Sequence, residues 1–366
     1  MKITYLDFDD INNPLLGAGQ ARATFEVASR LVKLGHQVSV ISSKYPGYKD
    51  RIEAGIVYKH IGAGTKFLKF NNAIYILTVP FVVPALTSDI IIECFTAPIS
   101  TLFSPLFTKI PVVALPSMFN AQEFSNKYHL PFYLIERLGI RFYKYALPYS
   151  ETDSAKIKKL NPYIKFKIVG QGVGEEFFRI PHRQSKHILF FGRLDIWQKG
   201  IDLLLEAYAK VSDKINYPLV IAGHGPDENK VKALITKLGL EDKVKLIGPV
   251  YGEQKAKVFS ESLFVAFPSR HDEMCLATLE VLAAGLPLAC FDLPESKWIS
   301  PKVALKSPMY DTTHYAQALL NACGSTVIAP LRQNARSFAK QFNWDTVATQ
   351  FDLFLKQVLR YETKKQ

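Results

Sequence analysis

Short, almost uninterrupted apolar runs alternate with helix-patterned segments along the whole chain, and this alternation restricts the possible fold more than any other feature. In the first half the runs fall at residues 3–8, 38–42, 56–60, 90–94, 112–115 and 146–150. Between the first two, residues 21–34 place Phe25, Ala28, Leu31 and Val32 at helical spacing and stop at Gly35. Glycine just past the last turn is what a helix end prefers. In the second half, runs at 187–191, 219–222, 244–247, 263–267 and 288–291 alternate with helical segments at 203–211, 228–238, 254–260 and 276–284. Strands that are apolar at consecutive positions are buried on both faces, which calls for parallel sheets covered by helices on each side. At 366 residues the chain exceeds one ordinary core. The expectation is α/β, with two doubly wound, Rossmann-like domains facing a cleft at their strand C-terminal ends, where such sheets bind ligands. The polar, proline-bearing segment Ile180-Pro181-His182-Arg183-Gln184-Ser185-Lys186 is the best linker, dividing a domain of residues 1–180 from one of 181–343.

Composition excludes several classes. Hydrophobic residues at 48% and charged residues at 21% describe a globular protein, not a disordered one. The four cysteines, Cys94, Cys275, Cys290 and Cys323, are scattered without paired spacing, so neither a disulfide framework nor a zinc site is implied, and a reducing cytosol suits them. The N-terminus enters a strand at once and meets acids, unlike a signal peptide. The most apolar window, residues 73–86, is interrupted by Pro80 and Pro84 and falls short of the ~20 residues of a spanning helix. It reads as core or interfacial surface. The net charge of +12 is spread over both halves, so no arm is built for nucleic acid. Polyphosphate ligands or an anionic membrane fit this balance, and solubility alone is the plain alternative.

Chemistry concentrates in residues 268–287, where an acidic loop runs directly into a short apolar helix between two apolar strands. Unpaired N–H groups at a helix start attract phosphate, and nearby carboxylates can hold sugar hydroxyls. Glu280 lies among Leu279, Val281 and Leu282, where a carboxylate needs a partner, either a nearby Lys or a ligand hydroxyl. Arg193 and Lys199 come after another apolar strand and precede a helix near Gly200, which puts them on a loop at a sheet's C-terminal edge. A planar fork of donors beside a compact charge suits a diphosphate. Cys275 reads as an apolar filler ahead of a nucleophile. Gly17-Ala18-Gly19 could open a dinucleotide fingerprint, but Arg22 stands where the third glycine belongs, so an NAD-dependent oxidoreductase is a distant alternative. Asp7-Phe8-Asp9-Asp10 could hold a divalent metal; a solvated or capping loop is preferred.

Four segments, in order, resemble the retaining GT4 type of GT-B glycosyltransferases. These are Gly17-Ala18-Gly19 with its helix, Gln171-Gly172-Val173, the element from Gly192-Arg193-Leu194 to Lys199-Gly200, and the two acids Asp272 and Glu280 with seven residues between them. The resemblance implies that Arg193 and Lys199 neutralise the donor diphosphate, doing electrostatically what a metal does elsewhere. It assigns Glu280 to the ribose hydroxyls and Asp272, with Glu273, to the donor sugar. Main-chain N–H groups of Met274, Cys275 and Leu276 then face the phosphate, Gly17, Ala18 and Gly19 close over it, and the main chain at Val250 reads the base. The chain departs from the pattern at Asp272, where Glu is usual, and at Glu273 and Cys275, where Gly is usual. No His stands after the strand at 112–115, so no general base is assigned, and the leaving phosphate takes the acceptor's proton. A helix over residues 344–366 crosses back to the first domain. By resemblance the chain is expected to be a metal-independent, cofactor-free, retaining hexosyltransferase, with UDP-glucose the first guess among nucleoside diphosphate sugars. Its acceptor is a glycan or lipid-linked sugar in cell-envelope polysaccharide synthesis, and its location is cytosolic, peripheral on the inner face of the plasma membrane. A sugar-nucleotide epimerase and a non-catalytic sugar-nucleotide binder are the same-fold alternatives. On the acceptor side, residues 66–70 and 135–145 mix aromatic and basic side chains, as a helix lying on an anionic bilayer would, or a core helix with a basic outer face.

Overall fold

The computed structural model describes residues 1–16, 19–96, 98–99, 101–272 and 274–364. They form two compact units: Met1–Gln171 with Trp344–Gln366, and Gly172–Asn343.

The first unit runs β1 (Lys2–Leu6), α1 (Gly19–Lys33), β2 (Gln37–Ser43), β3 (Arg51–Glu53), β4 (Ile56–Ile61), α2 (Leu68–Val82), β5 (Ile90–Thr96), β6 (Val112–Met118), α3 (Ala121–Tyr128), α4 (Phe132–Gly139), β7 (Tyr145–Ala146), α5 (Glu151–Leu160) and β8 (Lys165–Phe166). Its sheet has the order β3-β4-β2-β1-β5-β6-β7-β8. Only the β3–β4 pairing is antiparallel. The expected strand at 146–150 shrinks to two residues, because Pro148 cannot donate to a ladder and Ser150 turns away to cap α5, accepting from Asp153 N at 3.0 Å. The apolar window at 73–86, read as core or interfacial surface, falls mostly within a helix that begins before it. Helix continues through Pro80, and Leu68–Ala85 forms one stretch of 18 residues, only 22% of it buried.

The acids after β1 are neither solvated nor gathered around a metal position. Asp7 is fully buried, accepting from Thr24 Oγ1 at 2.6 Å and Asp9 N at 3.2 Å. Asp10 takes a bidentate pair from Arg51 at 2.7 and 2.8 Å and also meets His60 Nε2 at 2.7 Å. Buried carboxylates survive only with such partners. Among the described residues no three His, Cys, Asp or Glu side chains group as metal ligands.

The second unit runs α6 (Glu175–Phe178), β9 (His187–Phe191), α7 (Ile196–Lys199), α8 (Ile201–Val211), β10 (Leu219–Ala222), α9 (Glu228–Lys237), β11 (Val244–Gly248), α10 (Gly252–Ser260), β12 (Ser262–Phe267), α11 (Leu276–Ala283), β13 (Leu288–Phe291), β14 (Ala304–Ser307), α12 (Thr312–Ala322) and α13 (Ser325–Ala339). Its sheet is parallel throughout, in the order β11-β10-β9-β12-β13-β14. β9 sends Ile188 and Phe190 into one core cluster and Leu189 into the other, so both faces are covered, as continuous apolar strands require. The strand order reverses between β9 and β12, and that switch point opens a crevice beyond their C-terminal ends.

The division falls at 171/172, not after residue 180. Val173 N bonds Phe342 O at 2.9 Å, and Phe177 and Ile180 enter the second unit's core beside Phe259. The segment expected as a linker is held by Arg183 N to Ser260 O at 2.9 Å and Lys186 N to Glu261 O at 2.8 Å. Polarity marks an exposed edge there, not a hinge. Helix α14 (Trp344–Thr363) belongs to the first unit and packs on α1, with Asp352 bonded to His36 Nε2 at 2.8 Å and to Lys356 Nζ at 2.8 Å.

Burial pushes the Asp7 carboxyl up to about 6, outweighing its hydrogen bonds from Thr24 and Asp9. The folded state therefore holds this proton more tightly than the unfolded chain does. Asp7 contributes stability below the unfolded carboxylate range and loses it as pH rises through about 6. Asp7→Asn, which keeps an acceptor for Thr24, should match the parent near pH 4 and exceed it in melting temperature above pH 7, as paired thermal melts will show.

Candidate functional site

The sheet reversal of the second unit brings two loops together, one after β9 and one after β12. The β9 loop is pinned from the neighbouring strand's loop: Leu194 N bonds His224 O at 2.9 Å, and Ile196 N bonds Asp227 Oδ2 at 2.9 Å. Asp195 then caps the short helix α7, accepting from Gln198 N at 3.1 Å. Gly200 ends α7 at φ +63°, and a Cβ there would lie 2.1 Å from Pro268 O. Only glycine allows both that backbone and that approach.

The β12 loop is stapled to the first. Arg270 N bonds Gln198 O at 2.9 Å, and the Arg270 guanidinium forks onto Asp202 at 2.8 and 2.7 Å while also reaching Ile196 O. Lys199 and Asp272 meet inside this clamp as a close ion pair with about a tenth of each side chain exposed. Ser269 Oγ donates to Asp272 Oδ2 at 2.9 Å, and Cys275 Sγ lies 3.8 Å from Lys199 Nζ. Burial would lower the Lys199 pKa, but the Asp272 carboxylate outweighs it, so the ammonium keeps its proton above the usual range. Burial, joined by the Asp272 charge, pushes the Cys275 thiol up, which keeps it out of the thiolate form a nucleophile needs.

Arg193, half-exposed, donates to Gln198 Oε1 at 2.7 Å, and its charge acts on Lys199. Helix α11 starts directly behind Cys275 with no side-chain cap. Its first turn therefore presents backbone N–H groups next to the Lys199 ammonium. Met274 and Cys275 pack on the core beneath, and Leu276 is the first helical residue. One turn on, Glu280 is paired with Lys255 Nζ of α10 at 2.8 Å. The Lys255 ammonium also sits over the rings of Phe177 at 4.7 Å and Phe191 at 5.4 Å. Glu280 thus has a lysine partner. Val250 is buried between β11 and α10, on the same edge of the sheet.

Arg193, Lys199, Asp272, Cys275 and Glu280 therefore line one sheet edge, as their places in the sequence suggest. Gly19 opens α1 of the first unit. Gly17, Ala18 and Glu273 lie outside the described residues. Sequence reasoning misses Lys255, Arg270 and Asp202. Lysine in an exposed-looking helix carries no motif, and only the fold reveals that it meets Glu280.

Because the two loops come closest at Gly200, Gly200→Ala should destabilise the second unit by about 1–3 kcal/mol through backbone strain and the clash with Pro268 O. The measurement is denaturant unfolding; an unchanged midpoint would refute the clamp.

Comparison with known proteins fits this geometry. Residues 173–297 match the family model of glycosyl transferases group 1. An uncharacterized glycosyltransferase of Methanocaldococcus jannaschii is 38% identical over 104 residues, covering 28% of this chain and 26% of that one. A GDP-mannose:cellobiosyl-diphosphopolyprenol alpha-mannosyltransferase of Xanthomonas campestris is 26% identical over 201 residues, covering 53% and 52%. The matched region spans about half of that relative's length and about a quarter of the archaeal one's. Among solved structures, sucrose-phosphate synthase of Thermosynechococcus elongatus superposes with a TM-score of 0.82 at 15% identity, covering 98% of this chain and 99% of that one. Anabaena HepE, in complex with UDP and glucose, gives 0.74 at 16% identity, covering 98% and 100%. At these identities the structures speak for the fold alone. With its two Rossmann-like sheets the chain has the GT-B fold, and its residues 173–297 are similar to the glycosyl transferases group 1 family.

Proposed function

We propose that the chain is a retaining hexosyltransferase that binds a nucleoside diphosphate sugar on its second unit. The observation that carries this reading is the clamp at the switch point, which sets the Lys199 ammonium beside Asp272 and the uncapped start of α11. A diphosphate entering there meets the buried cation of Lys199, the half-exposed one of Arg193, and backbone N–H groups, all in place before charge develops on the leaving group. Asp272 holds Lys199 ionised while the site is empty. With donor bound, the phosphate takes over the lysine and the carboxylate is released toward a sugar hydroxyl. Glu280, oriented by Lys255, accepts from the ribose diol. No side chain is given the part of general base: the departing phosphate takes the acceptor's proton on the face it leaves, and catalysis rests on charge and positioning.

In this reading the reaction requires no metal and no organic cofactor. UDP-glucose is the first donor to test and GDP-mannose its competitor, since HepE was solved with UDP and glucose while the Xanthomonas relative is named for GDP-mannose. The acceptor is a glycan or lipid-linked sugar of the cell envelope, and the four free cysteines suit a reducing cytosol.

Thermal shift with UDP, GDP and NAD, then donor hydrolysis with and without EDTA, tests the reading. UDP or GDP should raise the melting temperature, and hydrolysis should persist in EDTA. Stabilisation by NAD alone, or nucleotide binding with no turnover of any sugar donor, would overturn it. Arg193→Ala and Lys199→Ala should each lower kcat by roughly 10²–10³ with the fold intact. Lys255→Met should act differently, weakening nucleotide binding by about ten-fold through a disordered Glu280 while kcat changes little; calorimetric titration with UDP and GDP separates the two effects.

A further inference from the structure

Helix α2 has no polar side to offer water. Its inner stripe, Tyr75 and Val79 with Val83 just beyond, packs against Leu6, Ile41 and Phe95, and Tyr75 Oη donates to Ile41 O at 3.1 Å. The opposite stripe, Phe70, Ala73, Leu77 and Phe81, recurs every three or four residues and faces outward, with Leu77 65% and Phe81 81% exposed. No charged residue occurs between Phe70 and Ser88. A surface helix of a water-soluble domain puts polar residues on its outer face, and this one does the reverse. By length and composition Leu68–Ala85 could cross a bilayer. Its inner stripe is committed to the sheet, however, so it is suited to lying in a membrane interface, not to spanning one.

The apolar surface continues on both sides. Lys69 Nζ sits 5.4 Å from the Tyr128 ring, which joins the start of α2 to the end of α3. From there Leu130, Leu134, Leu138 and Phe142 are exposed at intervals of four, with exposed Arg137 and Arg141 between them. Past the other end of α2, an open cleft of about 510 Å³ is lined by Pro84, Leu86, Leu106, Phe107, Lys109 and Ile110. More than half of the exposed large apolar side chains among the described residues fall between Phe67 and Phe142. A scattered exposed leucine needs no explanation, but a concentration of this kind does.

We propose that this face of the first unit docks on an anionic lipid bilayer. The phenylalanines and leucines insert among the acyl chains, and Lys66, Lys69, Arg137 and Arg141 meet the negatively charged headgroups. The charge decides the occupant. A second copy of the chain would bring the same basic residues against themselves, whereas an anionic surface neutralises them. Membrane docking goes beyond the donor reading and stands apart from it, because none of these residues belongs to the second unit.

The test is flotation of the full chain with vesicles of phosphatidylcholine, with and without phosphatidylglycerol. The chain should float with the anionic vesicles at low salt and dissociate as salt rises. Leu77→Ser with Phe81→Ser should weaken partitioning roughly ten-fold or more. Arg137→Gln with Arg141→Gln should weaken it about five-fold per charge and abolish the preference for phosphatidylglycerol. Circular dichroism and UDP or GDP titration of each variant identify any loss of fold, and the glutamine variants, which leave apolar packing intact, keep the test decisive if the serine variant misfolds. Failure of the parent to float on anionic vesicles at low salt, or equal flotation of parent and variants, would overturn the proposal. So would a dimer in sedimentation that Phe81→Ser dissociates without any vesicle binding.

Discussion

The candidate site depends on the clamp between the loops after β9 and β12. A parallel sheet whose strand order reverses leaves two loops side by side with a gap between them. Here the gap is closed by the Arg270–Asp202 fork, by Arg270 N on Gln198 O, and by the approach of Gly200 to Pro268. With both loops fixed, Lys199 and Asp272 meet as a close, nearly buried ion pair. Burial alone would lower the pKa of a lysine this deeply placed, and the carboxylate opposite more than restores it. The fold itself therefore supplies the charge that keeps this ammonium protonated.

The same balance of burial against partners recurs elsewhere, with different outcomes. Asp10 carries Arg51 and His60 and is held well below the usual carboxylate range, although burial works against it. Asp7 has neutral donors, among them the Thr24 hydroxyl and the Asp9 N–H, and for it burial wins. Glu280 has Lys255, an ammonium supported on two aromatic rings. These acids differ in how many donors surround them, which the chain around each one does not reveal. At Asp10 and Lys199 the buried charge is kept because the fold supplies a counter-charge.

Much of the fold is legible in periodicity. The parallel strands β9, β10, β12 and β13 are apolar at nearly every position because both faces are covered, and that pattern survives in a linear sequence. Strands β3, β7 and β8, of two or three residues, carry no such signal. A boundary after residue 180 is misplaced for a related reason. Residues 182–186 look like a linker because they are polar, yet their backbone is bonded to the end of α10. Window length misleads at α2 as well, where Pro80 and Pro84 suggest interruption and the helix runs on through Pro80.

By itself the sequence determined the two-domain α/β class, the alternation of the longer strands and helices, and the segments after β9 and β12 that carry Arg193, Lys199, Asp272 and Glu280. Those properties arise from hydrophobic spacing and local motif, which need no long-range contact. Only the tertiary structure decided that Lys199 pairs with Asp272 across 73 residues, that Lys255 meets Glu280, and that the stripe from Phe70 to Phe81 faces outward. An apolar helix residue looks the same in sequence whether it fills a core or faces solvent. The partner of a charge is set by which strands the sheet makes neighbours, and that choice is made in three dimensions.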